Sequence, residues 1–461
     1  MTHEFDASVL REYDIRGIVD STIGPGDAYA IGRTLATIAG EVGGRAVATG
    51  YDGRHSSPGF EQAVAEGIRD AGLTALRVGL GPTPQLYFAE HELGADAAIM
   101  VTGSHNPPDY NGFKLTLQSK PFFGESIQEL ARRAGAGAWA TGEGEMIGHD
   151  VGPAYLDLLA ATYEAGAPLS VAWDCGHGAT GDIVAALVER LPGRHLTLYE
   201  RIDGDFPAHH PDPTVAANLR DLIDCVRREG LDLGIGFDGD GDRIGVVDGE
   251  GRIIWGDQLL TLLARDVLRE FPGAPILADV KSSQTLFDEV EKAGGRAVMC
   301  RTGHSIIKAE MALLGAPLAG EMSGHIFFAD KFFGHDDAIY VGLRFLDLVA
   351  RSGTSAAALR DSLPAVANTP EIRVDCPDER KFDLVAEVRE RLLARGARVN
   401  DLDGVRVTTE AGWWLLRASN TQPVVVLRCE AGDEATLRAL SAEVRGELEA
   451  NSRPAVSPSA T

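Results

Sequence analysis

Cysteine is scarce: Cys175, Cys225, Cys300, Cys376 and Cys429 are the only five in 461 residues. An odd number at wide spacings, with no C-x-x-C pair, argues against a disulfide framework and a zinc site. Reduced, mostly buried thiols are expected instead. Long apolar runs are also missing. None approaches the roughly 20 residues that span a bilayer, and the start, Met-Thr-His-Glu-Phe-Asp, has no basic segment followed by an apolar one. A cytoplasmic protein with no membrane partner is expected. Positive charge is in deficit, with 43 Lys and Arg against 68 Asp and Glu and a net charge of -25. Such a field repels nucleic acid and anionic membrane at long range, so no nucleic-acid partner is expected either. Any anionic ligand must be held by local clusters of Arg, Lys and backbone N–H.

What remains is an ordinary globular composition, 44% hydrophobic and 24% charged, in a chain long enough for roughly three or four domains. Strand and helix patterns alternate. Arg45-Ala-Val-Ala-Thr-Gly50 reads as a strand, and Phe60, Val64 and Ile68 follow at helical spacing. Ala97-Ala-Ile-Met-Val101 leads into a polar loop, and Gly112-Phe-Lys-Leu-Thr-Leu117 resumes as a strand. Two later stretches repeat the theme, with strands at 169–173 and 231–237 and then at 275–280 and 317–319. Three related α/β units are expected, although no strict sequence period marks them. Past about Thr369 the order becomes strand, helix, several strands, helix, with Leu437, Leu440, Val444 and Leu448 along one helical face. That is a smaller α+β domain. The divisions drawn are 1–152, 153–256, 257–367 and 368–451, with 452–461 as a disordered tail.

Four polar loops carry the chemistry: Thr102-Gly-Ser-His-Asn-Pro107, Asp238-Gly-Asp-Gly-Asp-Arg243, Gly320-Glu-Met-Ser-Gly-His325 and Arg417-Ala-Ser-Asn-Thr421. In the second, Asp238, Asp240 and Asp242 alternate with glycines, so a tight turn can aim several carboxylate oxygens at one hard cation such as Mg²⁺. An EF-hand does not fit, since Arg243 stands where its glycine is needed and Gly249 where its glutamate is needed. Ser104 ends a strand, where α/β proteins place ligands, but a serine hydroxyl is a poor nucleophile without a base or a group already attached. His105, its neighbour in sequence, need not point at Ser104 and is expected to touch substrate or stabilise the loop. Glu321, Ser323 and His325 alternate after an apolar strand and are expected to project toward one side, where a carboxylate can read two adjacent sugar hydroxyls. Arg417, Ser419, Asn420 and Thr421 combine a guanidinium fork with hydroxyl and backbone donors, as an anion site requires.

All four loops, in this order, resemble those of the α-D-phosphohexomutase superfamily, in particular its bacterial phosphomannomutase/phosphoglucomutase branch. The likeness extends to Glu12-Tyr-Asp-Ile-Arg-Gly17, Asp279-Val-Lys281 and Thr302-Gly-His304 and covers nearly the whole chain. It implies three related mixed α/β domains plus a C-terminal α+β domain like the TATA-binding protein, around one central cleft. It implies that Ser104 is phosphorylated in the resting enzyme, and that Asp238, Asp240 and Asp242 hold Mg²⁺ together with a phosphoserine oxygen. Tyr13, Arg16, His105, Lys114 and Arg243 would surround the reacting phosphoryl group, with Lys114 a candidate for proton transfer. Lys281 and His304 would line the sugar site, and the loop of Glu321, Met322, Ser323, Gly324 and His325 would read the sugar. Arg417, Ser419, Asn420 and Thr421 would clamp the other phosphate.

The implied reaction interconverts hexose 1-phosphate and hexose 6-phosphate. It passes through a hexose 1,6-bisphosphate that turns over in the cleft and also serves as activator. Met322 and the Ser419-Asn-Thr421 order favour mannose and glucose phosphates over glucosamine phosphate, because phosphoglucosamine mutases usually carry glutamine and Ser-Gly-Thr there. A phosphoglucosamine mutase and a metal-dependent sugar phosphatase remain the alternatives. The expected partners are small phosphosugars, and the expected state is a monomer.

Overall fold

The computed structural model describes residues 2–420 and 422–452, arranged in four sheets with helices between them. In the seven-stranded first sheet, Thr74–Leu80, Ala46–Tyr51 and Ala97–Val101 run parallel. Tyr110–Leu117 and Ile15–Ile18 continue it antiparallel. Every residue of Ala97–Val101 is buried. A parallel strand covered on both faces reads as an unbroken apolar run, as this one does.

The second sheet has five strands. Gly193–Leu198, Leu169–Asp174 and Leu233–Phe237 are parallel, and Ile244–Asp248 then pairs antiparallel with the last of them. In the four-stranded third sheet, Arg296–Cys300, Pro275–Asp279 and Leu318–Gly320 are parallel and Ile326–Phe328 returns antiparallel. One pattern therefore recurs in the three units: a parallel strand ends in a loop, and the chain comes back as its antiparallel neighbour. The loops at 102–109, 238–243 and 321–325 are these connections.

The fourth sheet is antiparallel, in the order Ala367–Asn368, Val424–Ala431, Gly412–Ala418, Val405–Thr408, Val399–Asn400, with Ile372–Asp375 also on Val424–Ala431. Helices Asp378–Ala394 and Glu434–Ser452 pack on it, and Leu437, Leu440 and Val444 enter its core. Its polar loop, too, joins antiparallel neighbours, Gly412–Ala418 and Val424–Ala431. Ser452 closes the last helix. The rest of the expected disordered tail lies outside the described residues. All five cysteines are buried and unpaired. No helix among the described residues is long and apolar enough to cross a membrane.

The helix Ala338–Ser352 packs both on Ile326–Phe328 of the third sheet and on Leu233–Phe237 and Ile244–Asp248 of the second. Trp173, Phe237, Phe328 and Phe345 consequently share one apolar core. The third and fourth units meet over a smaller cluster of Val280, Trp413 and Leu415.

Candidate active site

Gly241 makes the acidic turn possible: its φ is +75°, and a Cβ there would lie 2.4 Å from Thr180 Cγ2. Asp238 Oδ1 accepts from the backbone N–H groups of Gly241, Asp242 and Arg243 at 3.0, 3.1 and 3.1 Å, which fixes the turn. Its Oδ2 accepts the Ser104 hydroxyl at 3.0 Å. Asp238, Asp240 and Asp242 are fully buried, and each offers an oxygen within 4.8 Å of the others. Asp240 Oδ1 and Asp242 Oδ1 have no hydrogen-bond partner among the described residues. Orphaned buried carboxylate oxygens are costly. Two of them beside a third carboxylate fit the oxygen shell of a hard divalent cation.

Lys114 offsets part of this charge, donating to Asp240 at 2.7 Å and also to Asp242. Burial disfavours its ammonium group, but the two aspartates outweigh burial and hold its pKa well above the ordinary lysine value. Asp238 is shifted the other way. Burial, then Asp240 and Asp242, push its carboxyl well above the usual carboxylate range. A bound cation inverts that logic.

Ser104 has φ +48°, in the left-handed region. Strain of this kind in a non-glycine residue clusters at reactive positions. His105 Nδ1 lies 3.2 Å from Ser104 Oγ, a contact that adjacency in sequence did not require. The left-handed turn at Ser104 curls the next side chain back toward it. Burial, then Arg243 and Arg16, hold His105 well below its ordinary pKa, so the ring is neutral. Arg16 donates to Asn106 Oδ1 of the same loop at 2.5 Å and to Asp14.

In the third unit, Glu321 accepts from Gly303 N–H at 2.5 Å and from the Ser323 hydroxyl at 2.8 Å. His325 faces the acidic turn: its Nε2 accepts from Arg243 Nε at 2.9 Å, and its ring stacks on His304. Gly324, at φ +89°, abuts the Ile244 backbone, where a Cβ would come within 2.6 Å of the carbonyl oxygen. Ile244 N–H donates to Gly324 O at 3.1 Å, so the second and third loops are stitched together. Met322 turns its sulfur to Arg428 of the fourth unit. Lys281 Nζ lies 2.8 Å from Glu371 and 3.6 Å from Asp279.

The fourth loop reaches the first and third through shared partners. Arg417 Nε donates to Asp403 Oδ2 at 3.1 Å, and the same oxygen accepts from Thr302 N–H at 2.9 Å. Asn420 Nδ2 donates to Tyr13 Oη at 2.5 Å, while the Tyr13 hydroxyl donates to Thr302 O at 2.6 Å. Burial pushes Tyr13 up to about 12. Ser419 Oγ accepts from Gln422 N–H at 3.2 Å. Thr421 lies outside the described residues.

Four residues in or beside this cleft escape the sequence reading. Asp336 sits 2.9 Å from His325 Nδ1 with Lys308 bonded behind it at 3.0 Å. Asp403 holds Arg417. Arg54 donates to carbonyls of the Ser104 loop. Only Arg54 had a readable signal, since Tyr51-Asp-Gly-Arg54 ends the strand beside Ala97–Val101.

The four sheets correspond to four family models. These are described as phosphoglucomutase/phosphomannomutase alpha/beta/alpha domain I, matching residues 7–139, domain II, 153–251, domain III, 255–366, and the C-terminal domain, 371–447. A phosphomannomutase/phosphoglucomutase of Pseudomonas aeruginosa is 42% identical over 444 residues, 96% of each chain. A phosphoglucomutase of Neisseria gonorrhoeae is 40% identical over 448 residues, 96% of this chain and 97% of that one. A Burkholderia thailandensis phosphoglucomutase/phosphomannomutase family protein superposes with TM-score 0.91 at 39% identity, covering 99% of both chains. Likeness of this extent along the whole length, with four domain matches in order, makes the chain a member of the phosphoglucomutase/phosphomannomutase family of the α-D-phosphohexomutases, which are enzymes.

Proposed function

We propose that the chain interconverts the 1- and 6-phosphates of mannose and glucose through a phosphoserine at Ser104 and a hexose 1,6-bisphosphate. The observation that carries this reading is the run of hydrogen bonds from Ser104 and the acidic turn through Arg243, His325, Glu321 and the Thr302-Gly303 backbone to Arg417 and Asn420 at the other end. A mutase needs a phosphoryl donor and a second phosphate site. A phosphatase needs only the first.

In this reading the Ser104 Oγ–P bond breaks as the free O1 or O6 of the sugar bonds to phosphorus and loses its proton. Arg16, His105, Lys114 and Arg243 surround the moving group; a cation on Asp240 and Asp242 would offset the charge that keeps the Lys114 ammonium protonated, leaving Lys114 the candidate to take that proton. Asp238, Asp240 and Asp242 would hold Mg²⁺, which supplies charge stabilisation for the transferring phosphoryl group. Glu321 and Ser323 read sugar hydroxyls alongside Met322, Gly324 and His325, and Lys281 and His304 line the same pocket. Arg417, Ser419, Asn420 and Thr421 hold the phosphate that is not reacting. Reorientation of the bisphosphate then returns its other phosphate to Ser104. We also infer a cytoplasmic monomer whose partners are small phosphosugars.

The test supplies mannose 1-phosphate, glucose 1-phosphate and glucosamine 1-phosphate separately, each with Mg²⁺ and a trace of the matching 1,6-bisphosphate. Formation of mannose and glucose 6-phosphates is expected. Release of inorganic phosphate alone would mean a phosphatase, and conversion confined to glucosamine phosphate would overturn the substrate assignment.

A further inference from the structure

Arg54 follows the strand Ala46–Tyr51, the parallel neighbour of Ala97–Val101, so its loop and the Ser104 loop leave the same edge of the sheet. Its side chain is buried, with 1% of its surface exposed. The guanidinium donates to four carbonyl oxygens of one stretch of chain. Nη2 reaches Ser104 at 2.8 Å and Asn106 at 2.6 Å, and Nη1 reaches Pro107 at 2.5 Å and Tyr110 at 3.0 Å.

Asp52 seats the fork from behind. Its Oδ2 accepts from Arg54 Nε at 3.2 Å, from the Thr102 hydroxyl at 2.9 Å and from Gly103 N–H at 3.1 Å. Gly103 leaves room for this arrangement, because a Cβ there would lie 2.4 Å from Arg54 Nε. On the side of the second unit, the guanidinium carbon lies 5.2 Å from the centre of the Phe206 ring.

Four carbonyl oxygens converging on one point repel one another unless a cation with several donors lies among them. The shape of the loop, including the left-handed backbone at Ser104, therefore depends on this guanidinium. A lysine cannot replace it, since a point charge with three donors does not match a planar fork that spans four acceptors.

We propose that Arg54 is a positioning residue for phosphoryl transfer: seated on Asp52, it gathers the carbonyls of the Ser104 loop and holds Ser104 Oγ against the acidic turn. The assignment rests on the reading of Ser104 as the phosphoryl carrier. Both terminal nitrogens of Arg54 are used within the loop, so its loss acts on the placement of the reacting oxygen and leaves the sugar loop and the distal phosphate clamp intact.

The premise is checked first, by locating phosphate on Ser104 of the wild-type protein by peptide mass spectrometry; its absence there would overturn the proposal together with its premise. In Arg54→Lys, kcat is expected to fall about 100-fold, the effect of misplacing a reacting atom by an ångström. KM for glucose 1-phosphate should stay near wild type, and a larger share of turnovers should end in released glucose 1,6-bisphosphate. Wild-type kcat in Arg54→Lys would overturn the proposal. So would a KM raised by the same factor as kcat is lowered, which marks general structural damage. Should Arg54→Lys not fold, Asp52→Asn weakens the same seat by removing the carboxylate charge that faces the guanidinium. A kcat lowered about tenfold at unchanged KM supports the role, and an unchanged kcat overturns it.

Discussion

Trp173 and Phe237 of the second unit and Phe328 and Phe345 of the third lie in one apolar core. The third and fourth units, by contrast, meet over Val280, Trp413 and Leu415 and around two buried arginines. Arg406 Nη1 donates to Val280 O at 2.6 Å and Ser282 O at 2.9 Å; Arg428 donates to Lys281 O at 2.6 Å and to Asp257 at 3.0 Å. A large apolar core is non-directional and separates only at the cost of exposing its whole area. A junction of a few hydrogen bonds can open and remake itself, as the joints between mobile domains do. The acidic turn and the loop of Glu321 and His325 sit on the fused side, and the loop of Arg417 and Asn420 sits on the separable one.

If chemistry belongs to the fused side and phosphate capture to the separable side, substitutions on the two sides fail differently. The largest effect is expected from Ser104→Ala, which should lower kcat by about four orders of magnitude or more, as loss of a covalent carrier does. Calorimetry should still detect glucose 1-phosphate binding; full activity would break the comparison. Asp240→Asn should follow, lowering kcat about 10²- to 10³-fold with weaker Mg²⁺ binding in titration. A metal-free, EDTA-treated enzyme that keeps its rate would show the acidic turn to be structural.

Arg417→Ala should act on binding. Losing a charge-assisted hydrogen bond of about 1.5–3 kcal/mol raises KM roughly 10- to 100-fold, while Ser104 stays phosphorylated. Glucose 1-phosphate should also compact the wild-type protein in small-angle scattering and protect residues 367–370 in hydrogen exchange, both less so in Arg417→Ala. Identical profiles with and without ligand would erase the distinction between the two junctions.

The smallest effect is one of pH. Burial alone would raise the carboxyl of Glu371, but Lys281 outweighs it and brings the pKa from 4.5 to about 2. A depressed carboxylate pKa stabilises the fold fully above the ordinary value, and the contribution is lost as pH falls from about 4.5 toward 2. Exchange at residues 371–375 should therefore quicken over that range before the shared core of the second and third units does.

The four polar loops were legible because each concentrates several unusual residues in a few positions, as Asp238, Asp240 and Asp242 do. The alternation of strand and helix was legible for a similar reason, since periodicity is local. Asp336 and Asp403 were not, because each is one charged residue whose meaning comes from its partner, Asp336 from His325 and Asp403 from Thr302, and no local pattern announces that partner. The shared core was hidden too. The apolar face of Ala338–Ser352 looks the same whether it packs on its own sheet or on the neighbouring one. The orientation of His105 was open because sequence adjacency says nothing about the sign of φ at Ser104.

Trp413 lies in the separable junction with the Arg406 guanidinium carbon 3.7 Å from the centre of its ring. Its indole N–H donates to Glu430 Oε1 at 2.9 Å. An indole stacked under a cation and shielded from water emits differently from one in solvent, so the protein carries its own optical gauge of this joint. Each cycle of capture and release should register as a change in tryptophan emission, with no label attached and on the timescale of turnover.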